Sequence, residues 1–86
     1  MIEFITEKLK ANKVKFDNLE FLAGDASPRR YFLIKNREIK NILMYDDDRI
    51  NLEKFIYLSN NLKNLVSVPK IIRNLKESGI IIIENF

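Results

Sequence analysis

The chain has 86 residues, a formal net charge of +3, no cysteine and no histidine. That length suits one small domain, and the missing residue types exclude disulfides, thiolate metal sites and histidine-based acid–base chemistry. No apolar run approaches the roughly 20 residues of a membrane span, and the N-terminus lacks the features of a signal peptide. We therefore expect a cytoplasmic globular protein without a membrane partner.

The first half of the chain predicts a short helix followed by three antiparallel strands. Ile2, Ile5 and Leu9 recur at helical spacing, which favours a helix that ends near Asn12. Runs of strand-forming residues then predict strands over 16–23, 30–35 and 40–45. A turn at 24–28 and a tight polar connection at 36–38 would join these strands in a meander.

The second half predicts one long helix and a final hairpin. Apolar residues at helical spacing predict an amphipathic helix of about 14 residues over 52–65, which Pro69 prevents from continuing. Asp48 or Asn51 could cap its N-terminus. Residues 70–75 and 79–84 predict two strands that turn around 76–78. Three consecutive aspartates at 46–48 are better explained by a solvated, helix-capping turn than by a metal site.

These elements together predict an α+β fold: a five-stranded antiparallel sheet with one packed helix and a short N-terminal helix. The sheet and the long helix should bury the larger apolar side chains of each element. The residues expected to be buried are Leu19, Phe21, Phe32, Ile42 and the isoleucines at 80–83 in the sheet, and Leu52, Phe55, Ile56 and Leu62 on the helix.

The most informative stretch, residues 22–32, reads Leu-Ala-Gly-Asp-Ala-Ser-Pro-Arg-Arg-Tyr-Phe. Gly24 can adopt backbone angles closed to other residues, and the side chains of Ala26 and Ser27 are small. A loop of this kind, with Asp25, lets a ligand approach main-chain N–H groups and hold an oxyanion. The alternative is an ordinary hairpin turn, because glycine, aspartate and serine are common turn residues.

Arg29 and Arg30 open the strand that follows this loop and supply charge that suits phosphate. Neighbouring strand residues point to opposite faces, so at most one of the two is expected to face a cleft. The other arginine could pair with a carboxylate of a neighbouring strand or helix.

Residues 22–32 resemble the nucleotide-loop signature of the aminoglycoside phosphotransferase-like superfamily. The resemblance is to the branch that phosphorylates cell-wall amino sugars at the anomeric position, the N-acetylmuramate/N-acetylglucosamine kinases. That branch carries Leu-x-Gly-Asp-Ala-Ser-Phe-Arg-Arg-Tyr-Phe-Arg, and the present chain departs from it at Pro28. Residues 42–45, 55–65, 68–71 and 80–86 are similar in order and spacing to the family's third strand, its helix and the two strands that lead to its hinge.

The resemblance covers roughly residues 15–86 and implies the nucleotide-binding N-terminal lobe of a small-molecule kinase. It implies that ATP phosphates would contact the loop, and that Glu84 and Phe86 would belong to the hinge that holds adenine. The residues that it places at the loop are Gly24, Asp25, Ala26, Ser27, Arg29 and Arg30. Kinase-like lobes also carry a lysine on the third strand, held by a helix glutamate. Here Met44 occupies the lysine position, and Glu53 is the acidic residue nearest the helix start; Lys35 and Lys40 are possible substitutes.

The catalytic aspartate and the magnesium-binding acidic residue of such kinases lie in a second lobe. We therefore expect a truncated or split phosphotransferase that is inactive alone, with Mg²⁺ bound only in a complete two-lobe protein. An open apolar surface at residues 80–86 would favour a homodimer or a second-lobe chain. The alternative is a noncatalytic remnant or protein-interaction module that keeps only the fold. Nucleic acid is not an expected partner, since aromatic and basic residues do not alternate on one strand face.

Overall fold

The computed structural model describes residues 1–24, 29–62 and 69–85, and it contains one antiparallel sheet between two helices. A short 3₁₀ turn at Lys76–Ser78 joins the last two strands. The elements are α1 (Ile2–Ala11), β1 (Asn18–Gly24), β2 (Arg30–Asn36), β3 (Ile39–Tyr45), α2 (Arg49–Leu62), β4 (Ile71–Leu75) and β5 (Ile80–Glu84). The predicted α+β fold, with five antiparallel strands, one packed helix and one N-terminal helix, is confirmed.

The strand order across the sheet is β1-β2-β3-β5-β4. The first three strands form the predicted meander, and β5 returns from the edge strand β4 to pair with β3. Because Arg30 pairs with Tyr45, and Tyr45 with Ile80, the base of the β1–β2 hairpin lies at the same end of the sheet as the start of β5. Glu84, at the end of β5, therefore lies at the opposite end.

The N-terminal helix covers one face of the sheet, which we call the α1 face. Ile5 and Leu9 are fully buried there, as their spacing predicts, and they pack on the central strands. The strand residues of this cluster are Phe32, Ile34, Leu43, Ile80 and Ile82. Leu19 packs against the edge of the same cluster, whereas Phe21 is half exposed because β1 is an edge strand.

The long helix covers part of the other face, which we call the α2 face. Leu52 is buried against Met44 and Ile81, and Phe55 and Ile56 pack at the margin of this cluster. Asp48 is the N-cap, since its Oδ1 accepts the N–H groups of Ile50 and Asn51 at 3.0 and 3.4 Å.

The predicted buried face of the long helix is partly wrong. Leu62 is 37% exposed, because α2 ends there beyond the edge of the cluster formed with Met44 and Ile81. The helix begins earlier than predicted, at Arg49, and Leu65 lies outside the described residues.

The expected open apolar surface on the isoleucine run is also wrong. Ile80, Ile81 and Ile82 are buried, because alternate residues of β5 face α1 and α2 in turn. Exposed apolar side chains lie instead on the outer surface of α2, where Ile50, Tyr57 and Leu58 are each more than half exposed.

Candidate functional site

Gly24 and Arg30 form the base of the predicted loop, as the last residue of β1 and the first residue of β2, paired across the ladder. Gly24 does not have a positive φ, so its backbone adopts angles that are also open to other residues. The Arg30 side chain instead lies over it: a Cβ built on Gly24 would be 3.1 Å from the Arg30 Cδ. Arg30 also donates a hydrogen bond from Nη1 to the Arg29 carbonyl at 3.1 Å. A small residue at position 24 thus allows Arg30 to pack close to the loop base.

Arg29 forms an ion pair with a buried carboxylate. Its Nε lies 3.3 Å from Oδ2 of Asp46, which is 1% exposed, while the Arg29 side chain is 22% exposed. Burial by itself would lower the pKa of Arg29, but hydrogen bonds to Tyr31 and Asp46 raise that pKa above its usual value. Arg29 is therefore a charged structural partner of Asp46, which was the expected role of one of the two arginines.

Asp46 connects the loop base to the start of the long helix. Its Oδ1 accepts the Asp48 N–H at 2.9 Å, and its own N–H donates to the Gly79 carbonyl at 2.9 Å. Asp46 and Asp48 thus both have structural hydrogen-bonding roles at the β3–α2 connection. Over the described ranges, no group of three acidic or metal-ligating side chains is placed to hold a metal ion.

The positions that correspond to the kinase lysine and glutamate do not meet. Met44 is buried against Leu52 on the α2 face. Glu53 is exposed and lies 3.4 Å from the Nε of Arg49 along the same helix. Lys35 and Lys40 pair with each other at the far end of the sheet, five residue steps or roughly 17 Å from Arg30, so neither substitutes for the lysine beside the loop.

Glu84 closes the β4–β5 pair. Its Oε1 accepts the Lys70 N–H at 2.8 Å, and its own N–H donates to the Lys70 carbonyl at 2.9 Å. The side chain is thus a structural acceptor, while any hinge contact would use the remaining main-chain groups. Of the other predicted site residues, Asp25, Ala26, Ser27 and Phe86 lie outside the described residues, as does Pro28.

A strip of the α2 face extends between the loop base and Glu84 without being fully covered by α2. We call it the open strip; its residues are Tyr31, Leu33, Ile42 and Ile83, and all four are half-buried. Leu33, Ile42 and Ile83 lie opposite one another on β2, β3 and β5, and Tyr31 lies two residue steps, or roughly 7 Å, nearer the loop base. Their apolar side chains could contact a flat ligand.

One residue that shapes this end of the sheet was missed in the sequence. Gly79 has φ +77°, and a Cβ there would lie 2.9 Å from the Asp46 carbonyl oxygen. The sequence did contain a signal for this role, because Gly79 directly follows a short polar turn between two apolar runs. Gly79 fixes how the β4–β5 hairpin meets the end of β3.

No protein-family model, curated protein or solved structure matches this chain. Within the part of the chain that the structure describes, neither helix is long and apolar enough to cross a membrane.

Proposed function

We propose that these residues form the nucleotide-binding lobe of an ATP-dependent phosphotransferase that acts on a small molecule such as an amino sugar. The observation that carries the proposal is the position of Gly24 and Arg30. They form the base of a hairpin whose residue types resemble a phosphate-binding loop, on a sheet with the helix and strand order that the resemblance implies.

The open strip supports a specific placement for the nucleotide. Its apolar side chains suit the face of a nucleobase, and they lie between the strand pairing that contains Arg30 and the one that contains Glu84. In this placement the phosphates contact the loop, and the base lies toward Glu84. The pairings of Arg30 and Glu84 are four residue steps, or roughly 13 Å, apart along the strands, and the proposed nucleotide would extend along that distance.

The two arginines have different roles in this proposal. Arg29 is held by buried Asp46 and fixes the start of β2. Arg30 lies against Gly24 at the loop base, so it is the residue that we assign to phosphate binding. The main-chain N–H groups of residues 25–27 would supply further donors.

Phosphate transfer in this proposal requires a second lobe. Catalysis of phosphoryl transfer depends on metal-holding carboxylates and on a group that orients the acceptor, and the resemblance assigns both to that lobe. We expect no turnover with ATP, magnesium and amino sugars by this chain alone. Residues of a second lobe would complete the catalytic site.

Titration with ATP, followed by amide NMR, tests the nucleotide site. Weak binding should perturb the amides of Tyr31, Leu33 and Ile42. Arg30→Ala should weaken binding about tenfold, because a charge-assisted hydrogen bond to phosphate is lost. Arg37→Ala is the matched control, since it removes the same charge from the turn just after β2, at the opposite end of that strand from Arg30. Equal affinities for the wild type and Arg30→Ala, or equal losses in both variants, would rule out the assigned site.

The second candidate is a noncatalytic protein-interaction module, and the outer surface of α2 favours it. Tyr57 is 67% exposed there, beside exposed Ile50 and Leu58. Exposed apolar groups of this kind are typical of surfaces that bind another protein. Two results would favour this candidate over the nucleotide lobe. Sedimentation would show concentration-dependent self-association that Tyr57→Lys abolishes, and titration with ATP would leave the amide NMR signals unchanged.

A further inference from the structure

A pocket of about 390 Å³ lies on the α1 face, at the end of the sheet away from the loop base. That volume is in the lower part of the range for small-molecule sites. The residues that line it are Lys13, Val14, Lys15, Ile34, Asn36, Ile39, Asn41, Ile72, Arg73 and Ile82. We call it the basic pocket, because its lining contains three cationic residues and no acidic one.

None of the three cations has an ion-pair partner among residues 1–24, 29–62 and 69–85. Lys13 and Lys15 follow α1, and Arg73 lies on edge strand β4. Arg73 donates from Nη2 to the Asn12 carbonyl at 3.4 Å, which holds its guanidinium beside the end of α1. Three cations that line one pocket from two segments of the chain make a positive site for an anion.

The floor of the basic pocket is aliphatic. Ile34 and Ile82 are buried at its base, and Ile39 and Ile72 are exposed at its sides. The amide side chains of Asn36 and Asn41 add hydrogen-bond donors near the apolar floor. This combination suits a ligand with a charged head and an apolar body better than a simple inorganic ion.

Lys13 occupies a backbone position that favours glycine. The Lys13 N–H donates to the Lys10 carbonyl, and the Val14 N–H donates to the Leu9 carbonyl, which is the Schellman pattern of helix termination. Lys13 is the residue of that pattern with positive φ, at 58°. A lysine there is less favourable for the backbone than a glycine would be, so the chain carries a cation at the pocket at some expense in stability.

We propose that the basic pocket binds a small amphipathic carboxylate, with its aliphatic body on the isoleucine floor and its carboxylate among Lys13, Lys15 and Arg73. Hydrogen bonds from lysine or arginine to a carboxylate are stronger than hydrogen bonds between neutral groups. Burial of the aliphatic body on the apolar floor adds to the binding free energy, so a carboxylate with such a body should bind more tightly than a small one such as acetate. The pocket lies on the opposite face of the sheet from the open strip, so this proposal does not depend on the proposed nucleotide site.

Amide NMR with octanoate as the probe tests the basic pocket. Octanoate should perturb the amides of Val14, Asn36 and Asn41 and leave those of the open strip unchanged. Acetate has the charge without the apolar body, and 1-octanol has the apolar body without the charge. Both should bind more weakly than octanoate at these residues. Equal binding of 1-octanol, or octanoate shifts confined to α2, or no shifts at all, would overturn the proposal.

Variants of the cations test the charge contribution. The double variant Lys15→Met/Arg73→Met should weaken octanoate binding by about tenfold or more. Lys40→Met is the matched control, because Lys40 lies between two pocket residues of β3 but on the opposite face of the sheet. An equal loss of affinity in Lys40→Met would show a general charge effect and contradict the site.

The Lys13→Gly variant tests the site without a loss of stability that could itself explain weaker binding. Glycine relieves the positive φ, so this variant should melt at a higher temperature than the wild type. It should nevertheless bind octanoate several-fold more weakly, since one of the three cations is gone. Unchanged octanoate affinity in this folded variant would exclude Lys13 from the site and overturn the proposed arrangement.

Discussion

Replacing Arg29 by alanine should destabilise the fold, because it leaves the buried Asp46 carboxylate without its cation. Asp46 is 1% exposed and Arg29 is 22% exposed, so the pair is largely shielded from water. Removing one partner of a fully buried pair costs roughly 3–5 kcal/mol. Here water reaches the arginine side, and Asp46 keeps the Asp48 N–H as a donor. We therefore expect a loss of about 2 kcal/mol in the free energy of unfolding.

That loss is large for a domain of this size. A small domain has a free energy of unfolding of roughly 0.05–0.15 kcal/mol per residue, so about 2 kcal/mol is a substantial part of the total. The melting temperature should fall by roughly 8–16 °C, since each kcal/mol corresponds to about 4–8 °C in domains of 60–100 residues.

Urea unfolding followed by circular dichroism would measure this effect. Arg30→Ala is the matched control and should lose less stability than Arg29→Ala, since it leaves the Arg29–Asp46 pair in place. A double-mutant cycle with Asp46→Asn isolates the coupling between the two charges. Asparagine keeps an acceptor oxygen for the Asp48 N–H but removes the charge. An Arg29→Ala variant as stable as Arg30→Ala, or a cycle with no coupling, would refute the assigned role of the ion pair.

Three further predictions concern single positions. Gly79→Ala should destabilise the fold by about 2–4 kcal/mol in urea unfolding, because its Cβ would lie 2.9 Å from the Asp46 carbonyl oxygen at φ +77°. Arg37→Gly should stabilise the fold by roughly 0.5–1 kcal/mol in the same assay, since Arg37 has φ 58° in the β2–β3 turn. Burial, followed by the charges of Asp47 and Asp46, raises the pKa of Tyr45 above its usual 10.0. The folded state then holds this proton more tightly than the unfolded state, so stability falls as pH rises above about 10, and Tyr45→Phe should reduce that fall.

Local patterns predicted the elements of the fold well, because burial of one helix face or one strand face leaves a direct periodic signal. Ile5 and Leu9 are buried where their spacing places them. The isoleucine run on β5 does not alternate, and this pattern is typical of a strand covered on both faces. The error was to expect an open surface on this strand: α1, more than 60 residues away in sequence, covers Ile80 and Ile82, and α2 covers Ile81.

The site was harder to predict because its geometry depends on pairings between strands. The sequence places Arg29 and Arg30 side by side, but only the β2–β3 register brings Arg29 next to Asp46. Similarly, Arg73 is distant in sequence from Lys13 and Lys15, and it lines the same pocket only because α1 ends beside β4. No local pattern signals either arrangement.

The Arg29–Asp46 pair links stability to the proposed function. Asp46 contacts Arg29 through one carboxylate oxygen and the start of α2 through the other, so the loop base and the helix share a single buried group. Arg30, one residue away, lies over Gly24 and is not part of this connection through Asp46. If the proposed nucleotide site is correct, a change at Arg29 should alter ATP affinity through the fold, whereas a change at Arg30 should alter it while the Arg29–Asp46 pair stays in place. Measuring both quantities in both variants separates a phosphate contact from a structural one.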